Sequence, residues 1–337
     1  MDRGALPLRA GLVAAAVLVV AGCAGTGPAV ESDYAVRTHE ELVTALADRE
    51  ARGAEELVVS ILADIEIPEP LIYRGDAPLR LVSGDGRRHT LKGTGEGRIL
   101  HVASTADVAV AWLTLRGGRA EGRGADALGG ALLAGEVERR HGVRGGRVTV
   151  ADTVFADNHA AGSGGAIAAA EVHVLDSVFR DNRAQRGSGG AIHFSGEAAV
   201  ERSGFEENRA GHFGGALAGG DGPVTVTESR FVGNRAETGG GALFMAGGRI
   251  DGATFDGNAT AGDGGAILLF GRLDGGGCLF TGNRAGGEGA AIYIASTGEI
   301  AGGYQAAAFL TGCRFDGNEG SDSGAVSAPL DRAPAAD

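Results

Sequence analysis

One pattern constrains what this chain can fold into. Phenylalanine recurs at spacings of 24, 26, 26, 24, 25 and 35 residues, as Phe155, Phe179, Phe205, Phe231, Phe255, Phe280 and Phe315. Each is followed three residues later by asparagine: Asn158, Asn182, Asn208, Asn234, Asn258, Asn283 and Asn318. In five copies a short polar stretch then leads to Gly-Gly-Ala, as in SVFRDNRAQRGSGGA at 177–191. A fixed period of this length means growth by stacking equivalent units around one continuous core. The composition agrees. Sixty-two glycines in 337 residues are too many for ordinary helices, there is no collagen period, and 43% hydrophobic residues argue against disorder.

The apolar residues around each copy alternate. Val172, Val174 and Phe179 precede the asparagine, and Ile192 and Phe194 follow the Gly-Gly-Ala. Three short strands per repeat, separated by turns, make the coil of a parallel β-helix. Coils about 4.8 Å apart bring identical residues into ladders. Phenylalanine then stacks on phenylalanine. Each asparagine is expected at a tight bend with a left-handed backbone, bonded through its amide to neighbouring coils. The paired glycines supply a positive φ or a close approach. A degenerate copy at 113–120 puts Leu115 and Gly118 in the phenylalanine and asparagine roles. The expected fold is all-β: a single-stranded parallel β-helix of about eight coils over 108–326, followed by a disordered tail at 327–337.

Residues 34–107 read as an N-terminal cap and the first β-helix coils. Thr38 and Glu41 fit a capping box, and Leu42, Ala45 and Leu46 follow at helical spacing, which predicts an amphipathic helix over 39–52. Strand-like runs follow at 57–61, 79–83, 89–91, 99–103 and 108–115. A helix laid over the first coil protects its open edge.

Residues 1–22 read as an export signal, with Arg3 and Arg9 before an apolar run at 11–21 that is too short to span a membrane comfortably. The run ends Val20-Ala21-Gly22-Cys23, which resembles the lipobox of bacterial lipoproteins. That resemblance implies cleavage before Cys23 and lipid attachment to it, so that the partner is a membrane. Ala24 in place of aspartate implies the outer membrane, and residues 23–33 read as a tether. The net charge of −13 makes nucleic acid an improbable partner.

The F-x-x-N and Gly-Gly-Ala elements resemble the polymorphic outer-membrane protein repeat over about 110–326. That resemblance implies a right-handed parallel β-helix exposed at the bacterial surface, often in adhesion. Full-length members end in an outer-membrane β-barrel with a terminal aromatic residue. This chain ends APLDRAPAAD without a run of strands after residue 326, and lipid on Cys23 is expected to take the barrel's place as anchor.

Three features bear on chemistry. Cys278 and Cys313 stand two residues before a repeat phenylalanine, in a column with Thr153, Ser177, Ser203, Ser229 and Ala253. They are either a disulfide across adjacent coils or two buried thiols. Asp157, Asp181, Glu206 and Glu207 lie beside a row of Arg183, Arg209, Arg235 and Arg284, once per coil. Read simply, these neutralise one another as an exposed ladder. Clustered carboxylates would instead mark a polysaccharide lyase or glycoside hydrolase. His159, His193 and His212 fall at different coil positions, and no spacing suggests a metal site or a cofactor. Finally, strict alternation turns Ala191 and His193 outward. It predicts an outer alanine column (Ala166, Ala191, Ala216, Ala242, Ala266, Ala291) and, two residues on, a strip of His193, Phe244, Leu268 and Tyr293. An exposed apolar strip marks a docking site for a protein or glycan, unless a loop such as 296–310 covers it. The sequence therefore reads as a lipid-anchored surface β-helix acting in binding, adhesion or architecture; the alternative is a carbohydrate-active β-helix enzyme.

Overall fold

The computed structural model describes residues 31–48, 55–95, 97–138, 142–220, 222–295, 306–321 and 324–327. The signal segment, Cys23 and nearly all of the tether and tail lie outside the described residues. The chain winds as a right-handed parallel β-helix of about ten turns, with one α-helix among the described residues. Each turn contributes one strand to each of three long sheets. The valine face has eleven strands, from Tyr34–Val36 to Ala307–Thr311; the phenylalanine face has ten, from Ile65–Ile67 to Arg314–Asp316; the alanine face has ten, from Leu71–Tyr73 to Val326–Ser327. Seven two-residue strands, Arg119–Ala120 to Arg284–Ala285, form a fourth, narrow sheet between the phenylalanine and alanine faces.

The count of about ten turns exceeds the eight expected. The difference lies in the first coils, which carry none of the repeat's marker residues. Ile65–Ile67 and His89–Gly93 are in parallel register with each other, and the latter pairs with Leu113–Arg116, so that Leu91 stands directly over Leu115. The expected strand at 108–115 is two strands, Val108–Ala111 and Leu113–Arg116, broken at Trp112, whose φ is +57°. The cap is as expected in kind but shorter. The helix runs His39–Ala47 with both capping-box bonds formed and with Leu42, Ala45 and Leu46 buried. It stops where Asp48 turns extended and its carboxylate meets the Tyr34 hydroxyl.

Phenylalanine and asparagine ladders run through the interior. Phe155 through Phe315 stack with ring centroids 4.8–4.9 Å apart and interplanar angles of at most 7°. That separation is the strand spacing itself, so the backbone dictates the stack. Leu115 pairs with Phe155 and Gly118 N–H donates to Asn158 Oδ1, which places the degenerate copy in the same ladders.

Each internal asparagine uses its whole hydrogen-bonding capacity. Asn208 Nδ2 donates to Phe179 O of the preceding coil (2.9 Å) and to Asn234 Oδ1 of the next (2.9 Å). Its Oδ1 accepts from both the backbone N–H (3.1 Å) and the Nδ2 (3.0 Å) of Asn182. An amide has two donors and two acceptor lone pairs, so nothing is left unpaired in the dry core.

The left-handed bends are not at the asparagines. They lie one residue earlier, at Asp157, Asp181, Glu207, Gly233, Gly257, Gly282 and Gly317, with φ between +52° and +63°. The asparagine amide fills the inside of the corner while its neighbour makes the turn.

The two glycines of Gly-Gly-Ala have different tasks. The first turns the chain, as at Gly189 with φ +68°. The second admits a neighbouring backbone: a Cβ on Gly190 would lie 2.0 Å from Gly215 O and 2.6 Å from the Arg209 backbone.

The following alanine does not face outward as strict alternation requires. Ala191 N and Ile192 N both donate to Ala216 O, and the same double bond to one carbonyl recurs from coil to coil. This local bulge turns two successive side chains inward. Ala166, Ala191, Ala216, Ala242, Ala266 and Ala291 are therefore core residues with no exposed surface.

The small-residue column is polar and satisfied. Ser177 Oγ donates to Leu175 O and accepts from Thr153 N, and Ser203 and Ser229 repeat the arrangement. Cys278 and Cys313 continue it as free thiols, not as a disulfide. Cys313 Sγ accepts from Cys278 N at 3.3 Å, in the place of a serine oxygen. Burial, with the Cys313 thiol beside it, pushes Cys278 up to about 12, which keeps it protonated at neutral pH.

Asn208→Ala leaves two donors of Asn182 and the Phe179 carbonyl without partners. At about 1–3 kcal/mol for each stranded buried group, we expect a loss of roughly 3–5 kcal/mol in denaturant unfolding. Ser203→Ala strands mainly the Ser177 N–H, and we expect about 1–2 kcal/mol. Equal losses for the two variants would contradict the role given to the asparagine ladder.

Candidate functional site

The outward column of the alanine face runs in register through Ile72, His101, Leu133, Ala168, His193, Ala218, Phe244, Leu268, Tyr293 and Ser327. The strip read from the sequence is thus a real line of side chains, but it is not uniformly open. Over its first half lie a 3₁₀ turn, Gly124–Ala127, and a β-hairpin of Glu136–Glu138 with Gly142–Arg144. Leu133, Val143 and Ala168 form a small buried cluster beneath them, with Ala125, Leu128 and Val137 alongside.

His193 belongs to this covered half. The hairpin is pinned beside it by Val143 N donating to Ser195 Oγ at 2.8 Å. His193 Nδ1 is shut off from solvent and has no hydrogen-bond partner among the described residues. Burial holds its pKa below the usual imidazole range. Its ring is half-buried, as are those of Phe244 and Tyr293, with the hairpin at its side.

The second half carries the aromatic side chains. Phe244 stacks on Phe213 (centroids 4.6 Å apart, 28° between planes) and meets Phe270 edge to face (5.4 Å, 71°). Leu268 is only 5% exposed, while Phe244 and Tyr293 are half-buried. The patch is therefore a compact aromatic ridge. Alternation missed Phe213 and Phe270 because both stand outside the strands, one just before a Gly-Gly pair and one just after Leu269. Tyr293 is raised by burial, then by Asp263 and Glu288, so acidic side chains border the ridge.

Residues 296–305 of the loop proposed as cover lie outside the described residues. The described remainder does not lie on the ridge. Ala307–Thr311 pairs with Arg272–Gly276 on the valine face.

The charged rows separate more than the sequence suggested. Arg116 approaches Asp157 (3.7 Å) and Arg284 pairs with Glu319 (3.0 Å). Arg183, Arg209 and Arg235 form no ion pair with Asp181, Glu206 or Glu207, so the row is not a neutralised ladder in its middle. Glu207 reaches over the Gly233 corner of the next coil instead. The carboxylates stay dispersed, one or two per coil. His159 and His212 stand apart from His193, and among the described residues no group of three or more His, Cys, Asp or Glu side chains is placed to share a metal ion. No described helix is long and apolar enough to cross a membrane.

Stacked phenylalanines, a saturated asparagine ladder and a bulged Gly-Gly-Ala corner together define a class: a parallel β-solenoid built on one repeated coil. Three segments, residues 152–170, 252–269 and 277–295, match the family model of the Chlamydia polymorphic membrane protein repeat. Each match falls on a Gly-Gly-Ala or Gly-Ala-Ala corner or on the phenylalanine–asparagine turn before it. Comparison of the chain with curated proteins and with solved structures gives no match.

The same outward column contains His101. Burial is the main cause, with Arg98 and Arg74 adding to it, that lowers His101 from 6.5 to about 4. An imidazole with a lower pKa in the fold than in the unfolded chain is protonated first in the unfolded chain. It leaves stability untouched above about 6.5 and reduces it as pH falls through the window to about 4. His193 acts in the same direction. We expect the melting temperature to fall between pH 6.5 and 4, and His101→Asn to flatten that fall. An identical pH profile for the variant would show that the histidine is not the cause.

Proposed function

We propose that the chain is a cell-surface β-helix that works as a binding module, held to its membrane by lipid on Cys23. One observation carries the binding reading: the ridge of Phe213, Phe244, Phe270 and Tyr293 on the outer side of a solenoid whose core is already filled. Aromatic side chains placed outside a satisfied core cost exposed apolar area, and such patches commonly serve recognition. Surface location and adhesion find support in the repeat itself, which is that of a polymorphic membrane protein. The acidic border at Asp263 and Glu288 favours a protein or glycan ligand with polar or basic groups around an apolar face.

The experiment uses cells displaying the full chain. Retention on a glycan array and on immobilised matrix proteins is compared for wild type and for Phe244→Ser with Tyr293→Ser. We expect at least about a tenfold loss for the double variant at unchanged circular dichroism, and release of the protein from membranes by Cys23→Ser. Full retention by a folded double variant removes the ridge from the binding surface, and membrane retention of Cys23→Ser removes the lipid anchor.

A further inference from the structure

We propose that the trough along the narrow arginine sheet binds a linear polyanionic glycan. Arg183, Arg209 and Arg235 lie in parallel register on three successive coils. The coil spacing sets them about 4.8 Å apart, on a line parallel to the axis. All three are exposed, and none forms an ion pair among the described residues. Arg80, Arg147, Arg202, Arg249 and Arg272, on the valine face and its corners, are by contrast each held by a carboxylate. Like charges directly opposite one another in a sheet are destabilising. Three in file, on a protein of net charge −13, therefore make a local concentration of positive charge.

The row forms one wall of a trough of about 460 Å³. Ala184, Ala210, Ala236 and Thr260 lie buried at its floor, and Gln185, Gly211, Glu237 and Ala261 line the other side. Its lining carries three cations against one carboxylate. At Gly211 a Cβ would fall 2.2 Å from Gln185 O, so glycine is needed where the two coils meet along the trough. Guanidinium groups bind carboxylate and sulfate through paired hydrogen bonds, and a concave positive strip raises the local concentration of anions.

Other linear ligands fit less well. The lining contains no aromatic residue on which a nucleobase can stack. The arginine-strand amides are already used, with Arg183 N, Arg209 N and Arg235 N donating to Asn158 O, Asn182 O and Asn208 O, so a peptide finds no free strand edge to extend. What is left is recognition of acidic groups repeated along a line, as on a sulfated or uronic polysaccharide. This site is on a different face from the aromatic ridge and does not rest on it.

The test measures affinity of the full chain for dextran sulfate and for polygalacturonate, with uncharged dextran as control, at two salt concentrations. We expect binding to one or both polyanions, none to dextran, and weaker binding at higher salt. The two polyanion arms distinguish sulfate from carboxylate. R183A/R209A/R235A should lose at least about tenfold in affinity, whereas R249A/R272A, which removes two arginines already held by carboxylates, should leave it unchanged. R209Q provides a milder variant if the triple variant unfolds, and its expected loss is about threefold. The proposal is overturned if neither polyanion binds, if the arginine variants bind like wild type, or if a single-stranded oligonucleotide binds and the polysaccharides do not.

Discussion

The asparagine amide is the interaction on which the rest of this structure depends. A solenoid core is narrow, and its corners bring backbone carbonyls and N–H groups inside where water cannot reach them. The asparagine answers that demand with one side chain per coil. It pairs the carbonyl of a phenylalanine behind it, the amide of the asparagine behind it, and the side chain of the asparagine ahead. Because every bond crosses from one coil to another, the ladder sets the coil register as well as satisfying the corner. The phenylalanine stack follows from that register: ring spacing equals strand spacing, so the rings pack without independent adjustment.

Much of this was legible because the repeat is reported by residues with distinct tasks. Phenylalanine and asparagine mark core positions, and their period reveals stacking. The first coils were harder to count, since Leu91 and Leu115 occupy the phenylalanine column without the accompanying asparagine. The left-handed corners were placed one residue late. The asparagine carries the known turn preference, yet Asp181 and Glu207 take the positive φ beside it. Those carboxylates stand at corners for reasons of geometry and exposure, which is why they neither cluster nor pair with the adjacent arginines.

The alanine column shows where pattern reading fails in physical terms. Alternation assumes one carbonyl for each N–H along a strand. At Gly-Gly-Ala two successive amides share one carbonyl, and the side-chain parity shifts by one residue. Alanine then faces the core, where its small size suits the narrow corner. The column two residues on did keep its outward parity. Its exposure, however, depends on the hairpin over Leu133 and Ala168 and on Phe213 and Phe270, which come from outside the strands. The cover on a repeat surface is written in the insertions, and those carry no period.

Every internal asparagine completes its bonds with the coil on either side, so one more coil slotted into the column would meet the same partners as its neighbours do. Lengthening by a coil moves the far end outward by about 4.8 Å and introduces no new kind of contact. Height is therefore a freely variable quantity in this architecture. Duplication or loss of a block of some 24–26 residues would reset how far the molecule projects while leaving its cross-section as it is.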